Sequence, residues 1–189
     1  MFERFTKDAR AVVEAAAGCA ARAGTDRVEE SHVLLALLDR EGSRALFALA
    51  ALGLTPSRRQ AVARDLAEVR RRGGLSRADT DALSGLGIDV AAIVSRVEEA
   101  HGQGALAKGR AGGPGRWSGR RPFSRGAKEL LTESLRVALG RRDRHIGDEH
   151  LLLALTARPG APAEVLADHG VTYESLTRVL YGGGEALAG

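Results

Sequence analysis

Several things are scarce in this chain of 189 residues. It has one cysteine, one methionine, one tryptophan and two tyrosines, and aromatics make up 4% of it. A single cysteine, Cys19, excludes an intramolecular disulfide. So few aromatics, beside abundant Ala, Leu and Val, disfavour a β-sandwich and favour packed helices. No run of 18 apolar residues is present, so no transmembrane helix is expected. The opening Met1-Phe2-Glu3-Arg4-Phe5-Thr6 is charged from its third residue, unlike a secretory leader. The expectation is a cytoplasmic protein with no membrane partner. Lysine is equally scarce: Lys7, Lys108 and Lys128 are the only three. None follows a glycine, so the Gly-Lys-Ser/Thr end of a phosphate-cradling P-loop is missing.

What is present is unevenly placed. Residues 1–99 hold 15 basic and 15 acidic groups, and residues 128–189 hold 7 and 9. The net charge of +4 therefore comes from residues 100–127, where Lys108, Arg110, Arg116, Arg120, Arg121 and Arg125 have no acid among them. Gly109–Pro122 is rich in Gly and Arg and lacks the apolar residues of a core, which predicts a flexible, trypsin-sensitive spacer. Such a segment can attract nucleic acid or another polyanion, and Trp117 within it could stack on a base. The alternative function this suggests is a nucleic-acid or regulatory binding protein acting through the linker; a lone aromatic makes nucleic acid the weaker reading.

The dominant feature is an internal repeat. Residues 5–37 align without a gap on 123–155, with identical pairs at Phe5/Phe123, Ala9/Ala127, Ala20/Ala138, His32/His150 and Leu34-Leu35-Ala36-Leu37/Leu152-Leu153-Ala154-Leu155. After a one-residue deletion Leu49/Leu166, Gly53/Gly170 and Thr55/Thr172 continue the match. Each copy reads as four helices. Thr6 or Ser124 caps the first. Glu30 or Asp148 opens a second that is apolar on nearly all sides and belongs at the centre of its bundle. The third covers 43–52, or 163–169, and ends at Gly53 or Gly170, natural left-handed caps. Thr55-Pro56 or Thr172 opens the fourth, to about Arg72 or Tyr181. Two short helices are expected at 79–86 and 89–100, with Ile88, Val90, Ile93, Val94 and Val97 packing them back on the first repeat. The division is thus repeat one at 1–72, helical insert and linker at 73–122, and repeat two at 123–189, in an all-α fold with a pseudo-twofold.

Phe-x-Arg-Phe-Thr at Phe2–Thr6, Pro-Phe-Ser-x-x-Ala-Lys at Pro122–Lys128 and Ile-Gly-Asp-Glu-His-Leu-Leu-Leu at Ile146–Leu153 together resemble the double Clp repeat, the N-terminal domain of Clp ATPases, nearest its ClpC-type branch. The resemblance implies a domain that receives tagged substrates or adaptors for an unfoldase. In some members it implies recognition of phosphorylated arginine. The signature Glu of each repeat then contacts the guanidinium, and groups at the start of a repeat's first helix hold the phosphate. Glu149 matches that Glu in repeat two, with Ser124 and Arg125 at the helix start. Repeat one has Thr6 and Lys7 but Ser31 in the carboxylate's place, so one site is expected rather than two. The family also binds cyclic peptides in a groove, whose matching positions here are Phe2, Arg10, Val13, Phe123, Lys128 and Thr132.

Other chemistry has little support. Cys19 sits at a small-residue position within a helix and reads as packing. His32 and His150, at equivalent repeat positions, read as structural caps. His145, Asp148, Glu149 and His150 lack metal-ligand spacing, and no nucleophile–base constellation appears. The expectation is a non-enzymatic binding module without cofactors, free-standing from ATPase modules. It would modulate a Clp unfoldase or sequester a ligand aimed at such domains.

Overall fold

The first helix opens where the sequence supplies a cap. Thr6 Oγ1 accepts the Ala9 N–H at 3.2 Å and Ser124 Oγ accepts that of Ala127 at 3.0 Å. In this computed structural model, which describes residues 2–107 and 121–182, the elements are α1 (Lys7–Arg22), α2 (Glu30–Asp39), α3 (Arg44–Ala51), α4 (Pro56–Arg71), α5 (Arg77–Gly85), α6 (Val90–His101), α7 (Arg125–Gly140), α8 (Asp148–Ala157), α9 (Ala161–Asp168) and α10 (Tyr173–Tyr181). A short 3₁₀ turn, Phe2–Arg4, precedes α1. The fold is all-α; among the described residues the only β-type pairings are two isolated bridges. The Gly/Arg spacer from Lys108 to Arg120, with Trp117, lies outside the described residues.

Helices α2 and α8 are buried on almost every side, as their apolar sequences require. Leu34, Leu37, Leu151, Leu152 and Leu153 are fully buried, each contributing roughly 1.5–3 kcal/mol of transfer free energy. Gly53 and Gly170 end α3 and α9 in the left-handed region, at φ 82° and 81°. Thr55 and Thr172 cap the following helices.

Within each repeat the first two helices form an antiparallel pair. Asp8 in the first turn of α1 therefore meets Arg40, just past the end of α2, at 2.7 Å. Between repeats the packing is crosswise. Thr6 N–H donates to Ile146 O at 2.9 Å, and Ile146 N–H to Arg4 O at 2.8 Å. Reciprocally, Val28 N–H donates to Pro122 O at 2.9 Å, and Ser124 N–H to Val28 O at 2.8 Å. Helix α3 packs on α8 and α10, and α4 on α9. Arg58 joins the carboxyl ends of α3 and α9, donating to Gly53 O at 3.1 Å and His169 O at 3.0 Å. One continuous core draws on both repeats.

Helices α5 and α6 form the insert. Val90 and Val94 are buried, and Arg71 of α4 holds Glu98 of α6 at 2.7 Å. Ile88 and Ile93 are not packed back as expected: they are 40% and 48% exposed. Residues 90 and 94 share a face at i, i+4, and Ile93 falls to its flank.

Candidate functional site

Both repeats build the turn before their second helix with the same histidine. Nδ1 of His32 accepts the Glu29 N–H and Nδ1 of His150 the Gly147 N–H, each at 2.9 Å. Each imidazole thus reaches back to the residue before the helix, in the structural role expected. With Nδ1 accepting, the proton of neutral His150 sits on Nε2, which donates to Asp143 at 2.9 Å. His32 instead faces Arg70, with Nε2 3.3 Å from its guanidinium. Burial, then Arg70 and Arg121, hold His32 down at about 4. Cys19 is buried, and burial raises its thiol.

The first turn of α8 carries a carboxylate, Glu149, where the first turn of α2 has Ser31. The side chain of Glu149 is 8% exposed and receives Arg44 Nη1 on Oε1 at 3.0 Å. The neighbouring Asp148 accepts the Ala45 N–H at 2.7 Å, capping α3 and fixing it beside the start of α8. Glu149 folds back over Gly147 so closely that a Cβ there would lie 2.0 Å from its Oε2. In repeat one this position is Glu29, which carries a Cβ of its own and turns its carboxylate towards Arg70 at 3.8 Å, and Ser31 stands where repeat two has Glu149. Ser31 Oγ is buried with no hydrogen-bond partner among the described residues. Glu30 turns elsewhere: its carboxylate lies against Gly126 in the first turn of α7, 3.9 Å from Arg158.

The crosswise bridges decide which halves meet. Glu149 follows Ile146 by three residues, and Ile146 is hydrogen-bonded to Thr6. The turn that leads into α8 and Glu149 is therefore joined to Thr6, which opens α1 and is followed by exposed Lys7. Ser124 and exposed Arg125 of α7 instead join the turn bearing Ser31, through Val28. The expected pairing within each repeat is corrected here. An antiparallel pair puts the start of α1 at the far end of α2, about 15 Å along a ten-residue helix. Arg125 pairs with Glu129 at 2.8 Å.

Of the positions matched to a groove, Arg10, Lys128 and Thr132 are exposed on the first helices, Phe123 is half-buried and Val13 lies in the core. Phe2 belongs to the opening 3₁₀ turn, and its side chain lies outside the described residues. Sequence reasoning missed Arg44, Arg141 and Tyr181. The Arg44 and Arg141 guanidinium groups lie 5.4 and 4.0 Å from the Tyr181 ring centre. Only the Gly before x-Glu-His signalled a folded-back carboxylate, and nothing in the repeat alignment marks Arg44.

Among the described residues no group of three or more His, Cys, Asp or Glu is placed to hold a metal ion, and no helix is long and apolar enough to cross a membrane. The family model for the Clp repeat (R) N-terminal domain matches residues 4–80 and 122–187. Two solved structures share the fold. The crystal structure of the N-terminal domain of the caseinolytic protease associated chaperone ClpD from Arabidopsis thaliana is 18% identical, with a TM-score of 0.55 over 97% of this chain and 96% of that one. A chain from preliminary structural investigations of a malarial protein secretion system is 16% identical, with a TM-score of 0.51 over 95% and 94%.

Proposed function

Because the chain belongs to the Clp repeat (R) N-terminal domain family, we propose that it is a non-catalytic protein-binding module that receives substrates or adaptors for a Clp-type unfoldase. Its two repeats, at 1–72 and 123–189, act as one receiving surface around the 73–122 insert. The ligand chemistry in this reading is an arginine side chain carrying a phosphate, taken at one composite site. Glu149 accepts the guanidinium, and the start of α1, with Thr6 and Lys7, receives the anion.

The observation that supports it is the crosswise seam, which hydrogen-bonds Ile146, three residues before the buried Glu149, to Thr6 at the start of α1 in the other repeat. The counterpart at α7 has a neutral Ser31 where the carboxylate is required and a second acid, Glu30, against the helix start. A guanidinium–carboxylate pair in a partly exposed site is worth about 1–3 kcal/mol, or one to two decades of affinity.

Calorimetric titration with phosphoarginine tests this. A single class of site is expected, abolished by Glu149→Ala. Two equal sites, or binding indifferent to Glu149→Ala, overturns the reading.

A further inference from the structure

Glu149 is not vacant: a guanidinium of the chain itself already sits on it. Arg44 Nη1 is 3.0 Å from Oε1, and the Arg44 side chain is 50% exposed against 8% for Glu149. Arg44 stands in the first turn of α3, which Asp148 anchors to the start of α8. The backbone is therefore fixed while the long side chain is free to swing. Beside it lies a second cation. Arg141 stacks on the Tyr181 ring at 4.0 Å, with no carboxylate within ion-pairing distance among the described residues. The same loop adds exposed Arg142, Arg144 and His145, and its one acid, Asp143, is engaged by His150. The local cations exceed their partners, and Tyr181 is a platform shared by two of them.

We propose that Arg44 is both an internal competitor for Glu149 and, once displaced, a cation for the ligand's phosphate. The inference rests on the reading of Glu149 as the guanidinium acceptor. An incoming arginine must exchange with Arg44 one guanidinium for another, which gains little for a plain arginine. A phosphorylated arginine, its anion received at the start of α1, offers the displaced Arg44 a new partner in that dianion, with Arg141 a second cation beside it over Tyr181. The exchange is then favourable for the phosphorylated form alone. Arg44 thereby sets specificity, separating tagged from untagged arginine by a swap of partners.

The test compares phosphoarginine with N-acetylarginine amide by calorimetry on the full chain and on Arg44→Gln, Arg44→Lys, Arg141→Gln and Glu149→Gln. Arg44 is half exposed, so the fold is expected to survive each change at that position, verified by circular dichroism. In Arg44→Gln the unphosphorylated ligand binds more tightly, and the preference for phosphoarginine falls about tenfold or more, one charged contact's worth. Arg44→Lys keeps part of the preference, Arg141→Gln loses part of it, and Glu149→Gln abolishes both ligands. If Arg44→Gln leaves the preference unchanged while Glu149→Gln abolishes binding, the inference fails and the proposed function stands. If neither ligand binds the unaltered chain or Arg44→Gln, the function reading fails and takes the inference with it.

Discussion

Replacing Gly147 by alanine should uncouple Glu149 from Arg44 without touching either residue. The backbone at Gly147, φ −87° and ψ 170°, is open to any amino acid, so no backbone strain is introduced. The new Cβ would stand 2.0 Å from Glu149 Oε2, far inside the separation of roughly 3.5 Å at which heavy atoms pack. The carboxylate must retreat by about 1 Å or more, and its 3.0 Å contact with Arg44 goes with it. A charge-assisted hydrogen bond contributes about 1.5–3 kcal/mol, and the half-exposed Arg44 lowers this to about 1–2 kcal/mol. Alanine is also a poorer N-cap than glycine, a separate cost of a few tenths to ~1 kcal/mol. A double-mutant cycle removes that second effect. Gly147→Ala is measured by urea unfolding in the unaltered chain and in Glu149→Ala, where the clashing atoms are gone. A coupling energy of about 1–2 kcal/mol is expected, with unchanged m-values. A coupling near zero would refute the argument, since the Cβ would then have found room without moving the carboxylate.

The same geometry predicts that Ser31→Glu alone creates no second phosphoarginine site, because Glu29 has a Cβ where Gly147 has none and a Cβ at Gly147 would meet the folded-back carboxylate; only Glu29→Gly with Ser31→Glu should raise the calorimetric stoichiometry. His32, held at about 4 in the fold against 6.5 unfolded, gives stability that is complete at neutral pH and is lost as pH falls from about 6.5 towards 4, by up to ~3 kcal/mol. Urea midpoints at pH 7 and pH 5 measure that loss, and an NMR titration placing His32 above 6 would contradict it. Arg71 and the Gly104 N–H hold Glu98 down at about 2, so Glu98→Gln should speed amide exchange in α6 while leaving α1 and α8 protected. Gly53→Ala and Gly170→Ala, at φ 82° and 81°, should each cost about 1 kcal/mol in urea unfolding.

Much of the fold was legible because helices announce themselves locally. Thr6, Ser124, Thr55 and Thr172 are caps whose partners lie three residues on. Gly53 and Gly170 mark φ values that other residues resist. The paired histidines fell at equivalent positions and make equivalent bonds. The seam was not legible. An internal alignment states that two segments are alike and says nothing about which copy's second helix lies against which copy's first. The Thr6–Ile146 and Val28–Ser124 contacts span most of the chain and involve backbone groups that any residue supplies. Arg44 was missed because its alignment partner, Ala161, carries no charge, and its own partner lies 105 residues away. The insert was half legible: the spacing of Val90 and Val94 gave a packed face, and the flanking position of Ile93 left it at the surface.

The two backbone bridges also bear on stability under load. In the proposed reading a ligand held between Glu149 and Thr6 at the start of α1 would join residues 143 positions apart, one from each repeat. Such a ligand is a removable rivet through the whole particle. A ligand at a hundred times its dissociation constant adds about 2.7 kcal/mol to the folded state. Because the rivet crosses the seam, that gain resists separation of the repeats themselves, which is the step a pulling motor would have to force first. A loaded receiving domain would then be mechanically tougher than an empty one, and its cargo, fastened on both sides of the seam, would yield before it does.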